Sequence, residues 1–274
     1  MSTSINTDAA NSRPNVPPSD NGAAVLRTDK ATIRFGGLVA VSELDMTVRQ
    51  GEIYGLIGPN GAGKTTIFNL LTGVYEPTSG EIYFENQRID GKRPYEIAGH
   101  GISRTFQNIR LFPSMTVLDN VLTACHIHTD QTLLDVVLRT SRFRRCEAAS
   151  LEYCMELLAI FDLDDLKDEG GTSLPYGKQR RLEIVRALAT RPKLLLLDEP
   201  AAGMNPSEQE DLMKLIKQIR DRFGLTILLV EHNMKVVMGV CERIQVVDYG
   251  KSIALGIPEE IKNDPKVIEA YLGD

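Results

Sequence analysis

The stretch GPNGAGKT, residues 58–65, constrains the fold more than any other part of this 274-residue chain. It fits the pattern G-x-x-x-x-G-K-[ST], follows the apolar run EIYGLI, and opens an amphipathic segment that stops at Gly73. A strand that turns through glycines into a helix curls its backbone so that successive N–H groups point inward at one place. The helix adds the positive end of its dipole. Such a loop holds phosphate. Gly58, Pro59, Asn60, Gly61, Ala62 and Gly63 form the expected cradle. Lys64 is expected to bridge the β- and γ-phosphates, Thr65 to offer its hydroxyl to Mg2+, and Thr66 to contact the α-phosphate.

LLLLDEP, residues 194–200, supplies the complementary half. Four consecutive leucines suit a parallel strand buried on both faces, and Asp198 falls at its C-terminal end, where open α/β sheets bind ligands. Asp198 is expected to hold the Mg2+ shell, and Glu199 to reach an attacking water as a general base.

Short β-rich runs (TIRF, EIYGLI, EIYFENQRI) dominate residues 24–90, whereas residues 115–170 carry helical apolar spacing in VLDNVLTACHI, LLDVVL and LEYCMELLAIF. The α/β alternation returns with KLLLLDEP, a helix in SEQEDLMKLIKQIRDRFG, the strand TILLVEH, and a hairpin turning at Tyr249–Gly250–Lys251. The expected organisation is an α/β nucleotide-binding core over residues 25–274, interrupted by helices at about 110–190, with β-strands at the N-terminal side. Residues 1–24, rich in Ser, Asn, Pro and Ala and without a signal-peptide core, read as a disordered tail. A net charge of −6 argues against nucleic acid as the main partner, and no apolar run approaches the ~20 residues that span a bilayer. Cys125, Cys146, Cys154 and Cys241 form no metal-ligand spacing and read as reduced structural thiols.

GPNGAGKTT, TFQN, LPYGKQRRLEIVRALA, LLLLDEPAAGMNP and LLVEHNM, in this order, resemble the ATP-binding subunit of an ABC transporter. The resemblance covers residues 25–274 and implies a P-loop NTPase core of ABC-ATPase type, with an N-terminal antiparallel β-subdomain and an inserted helical subdomain. It implies ATP and Mg2+ as ligands. It places Gln107 against Mg2+ or the attacking water, His232 as a switch residue helping Glu199, and Phe35 as a stacking platform for adenine. The family's trans-acting signature, in which one subunit closes over ATP held by another, reads here Leu174–Pro175–Tyr176–Gly177–Lys178, followed by Gln179. Its serine hydroxyl is replaced by proline. The backbone N–H of Gly177, the helix dipole and the charge of Lys178 remain as donors. Asn205 stands where an aspartate is common in the segment AAGMNP, which leaves the polar contact of that segment open.

RFGGLVAV, the helical stretch between Asn120 and Leu151, AAGMNP and the ending DPKVIEAYLG resemble the ATPases of branched-chain amino acid importers. That resemblance implies transmembrane permease subunits, a second identical or related ATPase subunit and, indirectly, a substrate-binding protein as partners. It also implies a peripheral position on the cytoplasmic side of the inner or plasma membrane. The alternatives are the ATPase of another importer and a soluble, non-transport ABC ATPase. The basic stretch RTSRFRR (139–145) reads either as a solvated helix face or as a contact with permease or lipid.

Overall fold

The computed structural model describes residues 22–128, 138 and 140–272. Most of the expected tail (1–21), most of LLDVVL and Arg139 of the basic stretch lie outside these residues. In chain order the first half contains β1 (Ala24–Phe35), β2 (Leu38–Arg49), β3 (Ile53–Ile57), α1 (Lys64–Leu71), β4 (Ser79–Phe84), β5 (Gln87–Arg88), α2 (Pro94–His100), β6 (Ile102–Arg104) and α3 (Val117–Cys125). The second half contains α4 (Ser141–Ile160), α5 (Tyr176–Ala189), β7 (Leu194–Asp198), α6 (Pro206–Phe223), β8 (Thr226–Val230) and α7 (Met234–Val240). β9 (Arg243–Asp248), β10 (Lys251–Gly256), α8 (Pro258–Asn263) and α9 (Pro265–Leu272) complete the order.

Two sheets organise these elements. The first is antiparallel, in the order β2-β1-β4-β5. The second runs β10-β9-β3-β8-β7-β6, parallel from β9 to β6, with β10 added antiparallel at the edge. Ala24, expected as the last residue of the tail, is already in β1 opposite Arg49, so the ordered strand begins one residue earlier than its sequence suggests.

The leucines of β7 show why the central strands are continuous apolar runs. Leu194 and Leu196 face the apolar layer that includes Leu26, Val41 and Phe68, while Leu195 and Leu197 face the layer that includes Leu157, Val185 and Ile216. Side chains alternate across a strand, so a strand covered on both faces needs apolar residues at every position. The expected hairpin forms as β9–β10, turned by Tyr249 and Gly250, both at positive φ, as a two-residue turn between right-twisted strands requires. The helices α3, α4 and α5 leave the sheet between β6 and β7 and pack together through Val121, Cys154, Leu158 and Leu182.

Candidate functional site

β3 is wholly buried, and its chain turns at Gly58 (φ 157) and Gly63 (φ 100) before α1 begins at Lys64. A Cβ on Gly63 would lie 2.8 Å from the carbonyl oxygen of Ala40, so only glycine lets the loop pass beside β2. Gly61, at φ 79, faces open space instead. Across the loop lies the Lys64 side chain, whose Nζ donates to the carbonyls of Gly58 and Pro59, both at 2.7 Å. Burial lowers the pKa of this ammonium, and the negative charges of Glu199 and Asp198 oppose that shift. Thr65 is exposed and Thr66 half-buried at the entry of α1.

Two expected residues converge on the carboxylate of a third. Glu199 follows β7 with φ at 48°, a left-handed conformation unusual for a non-glycine residue, and its amide donates to Val230 of β8 at 2.8 Å. One carboxylate oxygen accepts from Gln107 Nε2 at 3.0 Å; the other pairs with His232 Nε2 at 2.7 Å. With Glu199 ionised, the second contact requires the imidazole proton on Nε2. The strained backbone aims the side chain between two loops, and those loops hold it from either side.

Several members of this constellation were not legible in the sequence. Arg104, at the end of β6, donates to Asp198 Oδ2 at 2.8 Å and to Asn69 Oδ1 of α1 at 2.7 Å, joining the two halves of the phosphate device. Glu231 is buried beside His232. Its carboxylate accepts from the amides of Ala201 at 2.6 Å, His232 at 3.1 Å and Asn233 at 3.3 Å. Burial raises its pKa and these amide bonds counteract the rise. The only hint in the sequence was an acid inside an apolar strand end, TILLVE, where a lone charge needs partners.

Pro175 is the N-cap residue of α5, with φ −54 and ψ 148, and its carbonyl accepts from the amides of Lys178 and Gln179 at 2.9 and 3.0 Å. The helix thus starts at Tyr176, three residues before Gln179, and the amides of Tyr176 and Gly177 precede its first internal bond. Pro175 and Tyr176 are exposed, but Leu174 belongs to the apolar core and Gln179 donates to Thr172 and Leu174 carbonyls of its own loop. Those two side chains support the turn from within. Asn205 caps α6, accepting from the Glu208 amide at 3.0 Å. Phe35 is 45% exposed at the end of β1 and meets Tyr75 edge-on at 5.2 Å, which sets aside a core-packing role. Arg142, Arg144 and Arg145 are exposed on the first turns of α4.

A family model for the ABC transporter matches residues 41–202, and one for the branched-chain amino acid ATP-binding cassette transporter matches residues 251–274. The high-affinity branched-chain amino acid transport ATP-binding protein BraF of Pseudomonas aeruginosa is 45% identical over 250 residues, covering 91% of this chain and 98% of its own. The protein LivG of Escherichia coli, described in the same words, is 46% identical over the same length and shares of each chain. A crystal structure of the ADP conformation of an ATP-binding cassette of an ABC transporter superposes with a TM-score of 0.80 at 32% identity. That match covers 92% of this chain and 100% of the other. A family match across more than half the sequence, with close relatives along nearly all of it, means that this chain belongs to the ABC transporter ATP-binding proteins and is an ATPase.

Proposed function

We propose that this chain, with Mg2+, hydrolyses ATP as the energising subunit of an importer of branched-chain amino acids. The observation that carries the reading is the Glu199 carboxylate held by Gln107 and His232 beside a buried P-loop lysine. The C-terminal match over residues 251–274 and the names of the relatives support the substrate class. Nothing in the ATP site itself recognises an amino acid, so substrate choice belongs to other subunits.

The donor set fits the ligands. Thr65 and Asp198 offer hard oxygen donors, with Gln107 close by. One carboxylate and a hydroxyl, completed by phosphate oxygens and water, suit Mg2+ better than an all-protein cage would. Among the described residues no cluster of three or more His, Cys, Asp or Glu could build such a cage. Mg2+ bound there would neutralise charge on the phosphates.

The loop Gly58–Gly63 presents amides to the phosphates and Lys64 turns from the carbonyls of Gly58 and Pro59 to the β- and γ-phosphates. Phe35 supplies an exposed ring face for adenine. Glu199 takes a proton from the attacking water, Gln107 orients that water, and His232 steadies Glu199 through the Nε2–H it gives to the carboxylate. The turn Leu174–Gln179 acts in trans, closing over ATP held by a second identical or related ATPase subunit. Closure excludes water and assembles the charges; phosphate loss lets the pair reopen.

Force reaches the membrane through permease subunits. A groove of about 520 Å³, lined by Val74, Ile97, Phe106, Arg110, Phe112 and Thr123, lies between the sheet and the helices α3 and α5, and suits a permease segment. No helix among the described residues is long and apolar enough to cross a membrane. The names of the relatives, ATP-binding proteins of transport systems, support a peripheral position beside the permease, on the cytoplasmic side where ATP is supplied. A substrate-binding protein takes part indirectly, by delivering the amino acid to the permease.

Reconstitution tests this reading. The complex of this chain with its permease and binding protein should accumulate labelled leucine, isoleucine or valine in vesicles only when ATP and Mg2+ are supplied. Uptake restricted to another solute class would replace the substrate assignment. Purification as an active ATPase that never associates with a permease would replace the transport assignment.

A further inference from the structure

Arg180 and Glu183 lie one turn apart on α5, both essentially inaccessible to solvent, with exposures of 0% and 1%. They form a direct ion pair, Arg180 Nη1 to Glu183 Oε2 at 2.7 Å. Their remaining bonds leave the helix. Arg180 donates to the carbonyls of Phe106 and Gln107 at 2.6 and 2.7 Å, and to the Tyr176 hydroxyl at 3.3 Å. Glu183 Oε1 accepts, at longer range, from the amides of Phe106 and Arg110 at 3.3 and 3.4 Å. The pair therefore grips the irregular segment Phe106–Arg110 by both its carbonyls and its amides.

This segment carries Gln107, whose side chain holds Glu199. Tyr176 belongs to the turn that opens the same helix, and a Cβ on Gly203 would lie 3.0 Å from its ring, so the turn also abuts the segment after Glu199. A buried ion pair is a poor device for stability alone, because the cost of desolvating two charges matches or exceeds their attraction; an apolar pair of similar volume serves a core as well. What the charges supply here is geometry. A guanidinium fork can fix two consecutive carbonyls, a carboxylate and a hydroxyl at once, which no apolar side chain and no lysine can do.

We propose that Arg180 and Glu183 are positioning residues for ATP hydrolysis, fastening the Gln107 loop to the first turn of α5 so that loop and turn move as one body. The proposal rests on the reading of Gln107 and Leu174–Gln179 given above. In the composite arrangement, the turn of one subunit contacts the nucleotide of its partner, whereas Gln107 serves the nucleotide of its own subunit. A rigid link between them makes each site's water-orienting group respond to engagement of the other site.

Two variants of the full chain, assembled with its partner subunits, test this. Arg180→Met combined with Glu183→Leu removes both charges and keeps the volume. Arg180→Lys keeps the charge balance and removes the fork. Nucleotide Kd, melting temperature and steady-state kcat are measured for each. With the clamp gone, Gln107 loses its fixed backbone, and misplacing a catalytic group by about 1 Å costs on the order of a hundredfold in rate. The expected result is kcat reduced about ten- to a hundredfold in both variants, with Kd for ATP within about twofold of wild type because Lys64 and the P-loop are untouched. A purely structural pair would lower the melting temperature without this separation of kcat from binding. Wild-type kcat in a folded variant of either kind overturns the proposal; if the double variant does not fold, Arg180→Lys decides alone. Gly177→Asp, run in parallel, distinguishes the two levels. If that variant hydrolyses ATP normally, the trans-acting reading of the turn is wrong; if it is inactive while both clamp variants keep full turnover, only the clamp is wrong.

Discussion

Replacing Pro175 by serine restores the hydroxyl of the family's signature, and the structure sets what it should do. Pro175 sits at the N-cap of α5 with φ −54 and ψ 148, a conformation that serine adopts without strain. The substitution loses the proline's restriction of the unfolded chain, about 0.4–1 kcal/mol. It gains a capping side chain, typically about 1 kcal/mol, because the hydroxyl oxygen can accept from the second or third helical amide. These two terms nearly cancel, so the melting temperature should scarcely move. The second helical amide is that of Gly177, the donor assigned to the partner's phosphate. A serine that caps this amide draws it away from the phosphate, while the hydroxyl proton remains free to bond the phosphate directly. A bond to a charged group contributes about 1.5–3 kcal/mol, and losing one amide donor removes a comparable amount. A residual of about 1 kcal/mol either way is a change of roughly fivefold. Steady-state ATPase of the assembled complex should therefore stay within about fivefold of wild type at unchanged melting temperature. A loss of well over tenfold in a variant that melts normally would show that the proline itself, and not the backbone beside it, shapes the contact.

Lys64→Ala should abolish hydrolysis and weaken nucleotide binding, since the loop loses its side-chain cation in a water-poor site; near wild-type turnover in the complex would refute the phosphate assignment. Glu199→Gln should retain ATP binding but slow hydrolysis by on the order of a hundredfold or more, the scale of a lost general base. In that variant ATP should trap a closed ATPase pair visible by size-exclusion chromatography, and unchanged hydrolysis would move the base elsewhere. Asn205→Ala should cost about 1 kcal/mol of stability through the lost cap of α6 with little change in turnover. A large fall in kcat without a fall in melting temperature would show that Asn205 acts beyond its own helix.

The parts of the site that read clearly in the sequence are those whose chemistry demands fixed residue types at short spacing. A loop that wraps phosphate needs its glycines, its lysine and its hydroxyls within eight residues, so GPNGAGKT was legible, as was the acid pair at the end of LLLLDEP. The buried strands were legible for a similar reason, because both faces of β7 are covered and every position must be apolar. The charged groups that hold the site together were not. Arg104 finds Asp198 94 residues away, and Arg180 finds Gln107 73 residues away, and nothing in the local pattern marks either arginine as inward-facing. QRRLE has the composition of an exposed helix turn. Leu174 and Gln179 lie in a motif whose residues all look alike in sequence, yet their side chains turn inward, one filling the core and the other bonding its own loop. The positive φ of Glu199 had no sequence signal, since glycine is the residue that normally marks such a position.

The turn between β9 and β10 has a consequence in time as well as in space. Gly250 donates its amide to the carbonyl of Ala62 at 2.9 Å, and its own carbonyl accepts from the amide of Ser42 at 2.8 Å. A Cβ there would lie 2.4 Å from the Ala40 carbonyl oxygen. The loop near the beginning of the chain is thus braced by a residue close to its end. During synthesis the lysine and glycines of the loop leave the ribosome long before Gly250 does, and domains fold as units while the chain emerges. From the synthesis of Thr65 until that of Gly250, a nascent chain carries the whole of GPNGAGKT with one wall of the loop missing.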